Sequence, residues 1–166
     1  MRVTDLKIRK NDDPALVFAG SEAEFEEARF LIREYAASLD FSLEFQDFEV
    51  EIDHLRDYYA PPTGCILLAR IEEASVGVAC LRPLDAGVAE IKRMYMKPAF
   101  RGRGLGRKML HALIDEARSL GYRHLRLDTV PHMESANHLY TSTGFYEIED
   151  YTYNPIPGAR FLEYKL

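Results

Sequence analysis

The sequence has only two cysteines among its 166 residues and no long apolar run. Cys65 and Cys80 are too few for a disulfide scaffold and lack metal-ligand spacing, so we expect reduced, half-buried strand residues. No apolar run approaches the roughly 18 residues that a membrane span needs, and the first five residues lack the apolar stretch of a signal peptide. These absences predict a cytoplasmic protein with no membrane partner and no bound metal.

Basic residues are also scarce, because 21 Lys and Arg face 27 Asp and Glu, for a formal net charge of −6. This balance argues against a general nucleic-acid or anionic-membrane binder, which needs a surplus of Lys and Arg. With 47% hydrophobic residues the chain can bury a sizeable core, and we expect one domain over residues 1–166. The sequence encodes no oligomeric state, and a homodimer stays open because symmetric dimers are common.

One segment departs from this acidity. Residues 92–108 contain seven Lys and Arg and no acid, whereas residues 1–60 contain fifteen acids and seven bases. A solvated basic face is the usual cause of a charge run. Here the run also contains alternate glycines and lies between two strongly patterned segments, so a bound anion is the better interpretation.

Hydrophobic periodicity predicts an α+β fold. Helices are expected over residues 21–40, the later part of 41–59, the segment after Gly106 and residues 133–143. Strands are expected over residues 3–8, 65–71, 76–84, 88–96, 124–130, 145–148 and 160–165. Short turns join the second to fourth strands, which should form an antiparallel meander, whereas the fifth is reached through a helix and should run parallel to its neighbour.

The glycine-rich segment Arg101-Gly102-Arg103-Gly104-Leu105-Gly106 follows a strand and opens an amphipathic helix. At a helix start the backbone N–H groups have no internal partner and the helix dipole is positive. Glycines let the backbone curl close to a ligand, and flanking arginines add bidentate donors. The segment therefore predicts a cradle for a diphosphate.

Two familiar phosphate sites fit this segment less well. A Walker P-loop needs a Lys-Ser/Thr pair after its last glycine, where this chain has Arg107-Lys108-Met109. Asp128 lies about where a dinucleotide site carries its ribose-binding acid, ~20 residues past the last glycine. However, the glycines follow G-x-G-x-G, the upstream strands form a meander, and too little chain remains for a doubly wound sheet. A dinucleotide-binding protein stays an alternative.

The stretch from Met94 to Gly106 resembles motif A of the GNAT acetyltransferase superfamily, a strand followed by R-x-x-G-x-G/A. The similarity continues to Ala136-Asn137-His138-Leu139-Tyr140 ahead of Gly144-Phe145 and covers about residues 65–150. It implies a splayed, mostly antiparallel sheet flanked by about four helices, with acetyl-CoA in the cleft between the fourth and fifth strands. It also implies that main-chain groups of Met94 and Met96 hold the pantetheine arm and the acyl carbonyl. By the same resemblance, the diphosphate lies on the backbone amides of Arg101, Gly102, Arg103, Gly104, Leu105, Gly106 and Arg107.

The resemblance further implies an N-acetyltransferase that works by direct attack of an amine on acetyl-CoA. Glu90 lies where several members carry a catalytic glutamate and is the predicted base, although it could instead pair with Lys92 or Arg93, and many members act through water. Tyr140 lies where the family usually places a tyrosine facing the coenzyme sulfur, and is the predicted acid; a core aromatic is the alternative. The nearby basic segment should narrow the gap between a phenol pKa of about 10 and a thiolate pKa of about 8.5.

The chain departs from the family at Met133, where members often carry an asparagine, so that residue's coenzyme contact is not transferred. His132 beside it could face the cleft or the solvent. The acceptor is expected to be a small-molecule amine or an amino-acid-like amine. It would be drawn to an acidic cleft edge, although a solvated acidic helix is the alternative, and Arg93 or Arg160 could instead hold an acceptor carboxylate. The acids of that edge are Glu44, Asp47, Glu49, Glu51, Asp53 and Asp57. A non-catalytic acyl-CoA-binding sensor is the second function left open.

Overall fold

The computed structural model describes residues 14–166, and the strand expected over residues 3–8 lies outside them. Five α-helices and seven strands follow one another in the described chain. Their order is β1 (Ala15–Phe18), α1 (Glu22–Ser38), α2 (Phe48–Asp53), α3 (Leu55–Tyr59), β2 (Cys65–Ile71), β3 (Ala74–Asp85), β4 (Val88–Met96), α4 (Leu105–Ser119), β5 (His124–Thr129), α5 (Glu134–Thr143), β6 (Tyr146–Ile148) and β7 (Arg160–Lys165). The expected α+β class is confirmed.

All the strands form one sheet in the order β1-β2-β3-β4-β5-β7-β6. Every neighbouring pair is antiparallel except β4 and β5. The meander of β2, β3 and β4 and the parallel entry of β5 confirm the expectation from turn length, because only a connection through a helix returns the chain in the same direction. The short edge strand β1 was not anticipated from the sequence.

The helices begin and end where local chemistry dictates. Ser21 caps α1, with its hydroxyl accepting from the Glu24 amide while the Glu24 carboxylate accepts from the Ser21 amide. The expected second helix is divided in two, because His54 leaves helical geometry between α2 and α3. Gly121 and Gly144 follow α4 and α5 with positive φ, which ends each helix.

Two apolar layers cover the sheet. One packs α4 against the strands through Met109, Leu113 and neighbouring residues, and the other packs α1, α2 and α3 on the opposite face. Cys65 and Cys80 are fully buried free thiols rather than half-buried ones, because adjacent strands are covered on both faces. Burial raises the pKa of Cys65 to about 12, so its thiol stays protonated near neutrality.

The sheet opens between β4 and β5. These strands pair only from Val88 with His124 to Glu90 with Arg126, and beyond that point they diverge. A β-bulge lies on the diverging part of β4, where Arg93 takes φ +57 and two residues oppose one residue of β3. Because a bulge redirects side chains and bends its strand, it places Lys92 and Arg93 on the same face of the sheet.

Candidate functional site

A cavity of about 830 Å³ occupies the opening between the diverged strands, and we call it the outer cleft. The end of α1, strand β4 and the starts of α4 and α5 form its walls. Eight of the nine residues that the sequence predicted for coenzyme binding line it, and Arg103 does not. The eight are Met94, Met96, Arg101, Gly102, Gly104, Leu105, Gly106 and Arg107.

The glycine turn leaves room for a ligand against its backbone. Gly102 and Gly104 have φ of +75° and +76°, and a Cβ built on either meets no atom within 4 Å. No side chain caps α4 at Gly104, and its first turn contains no acidic residue. Free helical N–H groups, a positive helix end and an open concave turn suit an anion such as a diphosphate.

Two arginine side chains of the segment are already engaged within the protein. Arg101 donates through Nε to the carbonyl oxygen of Met96 at 2.8 Å, and its guanidinium lies 5.6 Å from the centre of the Tyr95 ring. Arg107 donates to the Ser142 hydroxyl at 2.9 Å. These contacts use only part of each guanidinium, so the turn offers an anion its backbone amides together with the exposed Arg103 and the remaining N–H groups of Arg101 and Arg107.

A smaller cavity of about 80 Å³ continues inward from the outer cleft, and we call it the inner cavity. Tyr35, Met94, Met133 and Ala136 line both spaces, so the two are adjacent. Met133, the departure from the family pattern, is thus in the wall where the two meet.

Tyr140 lines the inner cavity and is buried, with its hydroxyl 3.9 Å from the Met94 sulfur. Burial raises the pKa of Tyr140 well above its usual value, and the neighbouring Tyr35 phenol and Asp128 carboxylate add to the shift. The expectation that the basic segment narrows the pKa gap to a thiolate is therefore wrong. The phenol is instead held protonated, so it can donate a hydrogen bond to a thiolate, while full transfer of its proton becomes less favourable.

Glu90 lies in neither cavity. Its carboxylate is 2.8 Å from Arg82 Nη2 and accepts a hydrogen bond from the Tyr151 hydroxyl at 2.7 Å. Both partners that the sequence suggested, Lys92 and Arg93, pair elsewhere. In the sheet Glu90 stands between Arg82 on β3 and Arg126 on β5, so charges of alternating sign run across three strands.

A chain of buried and partly buried polar groups along the inner cavity was not anticipated from the sequence. Lys92 Nζ lies 3.6 Å from Asp128 Oδ1 and donates to Gln46 Oε1 at 3.1 Å. Asn154 donates to the other Asp128 oxygen at 2.9 Å. Since the Lys92 and Asp128 side chains are each only 6% exposed, this is a pair kept from solvent at the point where β4 and β5 part. Asp128 was a candidate only for a dinucleotide site, and no local pattern places it opposite Lys92.

Arg93 is buried and already paired. It forms two hydrogen bonds to Glu51, at 2.9 Å and 2.7 Å, and Tyr59 donates to the same carboxylate at 2.6 Å. Burial by itself raises the pKa of Glu51, but the Arg93 contacts outweigh it and hold that pKa below its ordinary value. Glu51 and Arg93 therefore neutralise each other and leave little charge for an acceptor.

The expected acidic cleft edge is not formed. Glu44, Asp47, Glu49, Asp53 and Asp57 are exposed and line neither cavity, and Glu51 is the buried exception. The alternative interpretation, a solvated acidic surface, fits these five. The acids of a short surface helix face water because the apolar residues between them pack on the sheet.

The two remaining candidates from the sequence, His132 and Arg160, lie outside the inner cavity. His132 lines the outer cleft, half-exposed, with Nε2 3.2 Å from Asp40. Arg160 pairs with Glu147 at 3.1 Å on the far side of β5. Within residues 14–166 no group of His, Cys, Asp and Glu could hold a metal ion, and no helix there is long and apolar enough to cross a membrane.

Comparison with known proteins identifies the family of this chain and the fold it shares. Residues 28–145 match the model of the acetyltransferase (GNAT) family. An uncharacterised N-acetyltransferase of Schizosaccharomyces pombe is 32% identical over 145 residues, which cover 86% of this chain and 89% of that protein. An acetyltransferase structure from Streptococcus agalactiae superposes with a TM-score of 0.75 at 21% identity, covering 93% of this chain and 99% of the other. A Salmonella typhimurium protein solved with its cofactor acetyl-CoA has a TM-score of 0.64 at 20% identity, covering 92% and 94%.

Proposed function

The chain belongs to the GNAT acetyltransferase family, and we propose that it transfers the acetyl group of acetyl-CoA to the primary amine of a small or amino-acid-like acceptor by direct attack. The family membership makes it an acetyl-CoA-dependent acyltransferase. The nature of the acceptor and the roles of individual residues are our proposal. The observation that carries it is the uncapped start of α4, whose glycine turn opens into a cleft that leads to Tyr140.

Coenzyme binding is proposed for the glycine turn and β4. The amides from Arg101 to Arg107 would hold the diphosphate, since no side chain caps that helix start and its glycines leave room for phosphate oxygens. Main-chain groups of Met94 and Met96, on the part of β4 that does not pair with β5, would hold the pantetheine arm and the acyl carbonyl. Arg101 already donates to the Met96 carbonyl oxygen, which keeps one lone pair for a donor of the arm.

The reaction needs an oxyanion donor, an acid and a base. As the amine nitrogen bonds to the acetyl carbon, the carbon–sulfur bond breaks, and a β4 amide near Met94 would stabilise charge on the carbonyl oxygen. Tyr140 would give its proton to the departing thiolate and be reprotonated from solvent. The acceptor ammonium loses two protons in becoming an amide, so one proton per turnover is released overall.

The remaining role is that of the base, which takes a proton from the amine. Glu90 remains our candidate, but neither it nor its partner Tyr151 lines the outer cleft or the inner cavity, so a bound water would have to carry the proton to it. The competing route is direct loss of the proton to water. Because Glu90 is buried and lines neither cavity, direct contact between its carboxylate and the amine would require a rearrangement.

The proposal is tested by calorimetric titration with acetyl-CoA, followed by a thiol-release assay over amines, amino acids and peptides. We expect saturable acetyl-CoA binding and turnover with small amine acceptors. Tight binding of acetyl-CoA without turnover of any amine would instead identify a non-catalytic acyl-CoA sensor. In that case Tyr140→Phe should leave acetyl-CoA binding unchanged. Binding of NADH in place of acetyl-CoA would identify a dinucleotide protein.

A further inference from the structure

We infer that Lys92 and Asp128 form the acceptor subsite and select a small zwitterion, in which the reacting ammonium stands next to a carboxylate. The inference rests on the proposed function and names the chemical class of its acceptor. Asp128 would receive the ammonium group, and Lys92 would receive the carboxylate. An α-amino acid is the simplest ligand of this kind.

Lys92 and Asp128 lie close to the proposed acid. Both residues line the inner cavity together with Tyr140, the proposed acid. They come from the two strands that diverge, so their side chains bridge the opening through which an acceptor must reach the thioester. A ligand head inserted there would lie between Lys92 and Asp128 and beside Tyr140.

Lys92 and Asp128 are only loosely paired with each other. At 3.6 Å the Lys92 and Asp128 atoms are too far apart for a good hydrogen bond, although both side chains are nearly buried. The neighbouring pair of Arg93 and Glu51 is closed by two short hydrogen bonds. Lys92 and Asp128 are therefore the cation and anion of the inner cavity that can most readily be separated by a ligand.

The opposite charges of Lys92 and Asp128 favour a zwitterion over a simple cation. A simple ammonium ion would satisfy Asp128 but would bring a second positive charge next to Lys92. A zwitterion offers each buried charge an opposite partner and leaves the cavity neutral, which is the arrangement that avoids an unpaired buried charge. The other cation that the sequence suggested for an acceptor carboxylate, Arg160, pairs with Glu147 and does not line this cavity.

The volume of the inner cavity and the unpaired hydroxyl of Thr129 both fit a small polar ligand. The inner cavity of about 80 Å³ holds a few water-sized groups, at about 30 Å³ for each water in the liquid, so it fits a ligand head group. Thr129, the residue after Asp128, lines the cavity, and its buried hydroxyl has no partner among the described residues. Buried hydroxyls are usually satisfied, so this one indicates a place for a ligand atom.

The experiment compares α-amino acids with their methyl esters and with the corresponding decarboxylated amines, in the presence of saturating acetyl-CoA. We expect kcat/KM for the best amino acid to exceed that of its ester and its amine by at least about tenfold. If the methyl ester or the decarboxylated amine has the same kcat/KM as the amino acid, the inference is overturned while the proposed function stands. If acetyl-CoA binds but no amine of any kind reacts, the proposed function itself fails.

Variants separate the subsite from a general structural effect. Lys92→Gln should reduce the preference for the amino acid over its amine to within about threefold, mainly through KM, whereas Lys165→Gln, an exposed lysine at the end of β7, should change nothing. Thr129→Val keeps the side-chain shape and removes an unsatisfied hydroxyl, so it should fold normally and raise KM for the amino acid. Calorimetry with acetyl-CoA establishes that each variant is folded. A Lys92→Gln enzyme that binds acetyl-CoA and keeps the full preference contradicts the inference, as does an unchanged KM in Thr129→Val.

Discussion

Replacing Gly104 tests whether the glycine turn binds the diphosphate of acetyl-CoA. At φ +76° any other residue is strained by about 1–2 kcal/mol. A Cβ there meets no protein atom within 4 Å, so a new side chain extends into the space where the phosphates are expected. Asparagine tolerates the left-handed region best among residues of this size, and Gly104→Asn therefore measures the strain and bulk without a charge.

Gly104→Asp adds only the negative charge to that comparison. A carboxylate about 5 Å from one phosphate charge, at an effective dielectric constant of about 20, opposes binding by about 3 kcal/mol. We expect acetyl-CoA affinity in Gly104→Asp to be lower than in Gly104→Asn by roughly a hundredfold or more. The difference should shrink as salt is added, because ions screen the repulsion.

The assay is calorimetric titration with acetyl-CoA, with thermal unfolding of each variant measured in parallel. Gly121→Asp is the matched control, since Gly121 has φ +85° and open space around its Cβ but lies at the opposite end of α4. That variant should bind acetyl-CoA as the unmodified protein does. If the Asp and Asn variants at position 104 bound acetyl-CoA equally well, the reasoning about the cradle would be refuted.

Three further predictions concern catalysis and stability. Tyr140→Phe should lower kcat by about 10²-fold with unchanged acetyl-CoA affinity, as expected for loss of a general acid, and an unaltered kcat would remove Tyr140 from the mechanism. Glu90→Gln should lower kcat if Glu90 is the base; retention of full kcat would leave water in that role. Hydrogen bonds from the Gly20 and Ser21 amides lower the pKa of Glu24 from 4.5 to about 2, so its contribution to stability is complete above pH 4.5 and is lost as the pH falls toward 2. Urea unfolding midpoints should therefore fall more steeply over that range in the unmodified protein than in Glu24→Gln, and parallel curves would contradict the assignment.

Features set by neighbouring residues could be predicted from the sequence. The capping box of α1, the glycine turn before α4 and the short turns of the meander each depend on a few consecutive residues, and the structure places all three as expected. The resemblance to motif A depends on the same kind of local pattern, and eight of its nine predicted contacts line one cleft.

Features set by contacts between distant segments could not be predicted. The bulge at Arg93 has no sequence signature, because arginine seldom adopts positive φ. The contact between Lys92 and Asp128 joins two strands that the whole of α4 separates in sequence. The acidic segment misled the acceptor prediction for the same reason, since only packing decides that Glu51 turns inward toward Arg93 while the other acids face water.

A crystal structure of the protein with acetyl-CoA tests the central assignment most directly. We predict the diphosphate on the amides between Arg101 and Arg107, and the thioester beside Met94 within reach of the Tyr140 hydroxyl. Density for the coenzyme on another surface, with the opening between β4 and β5 left empty, would contradict it.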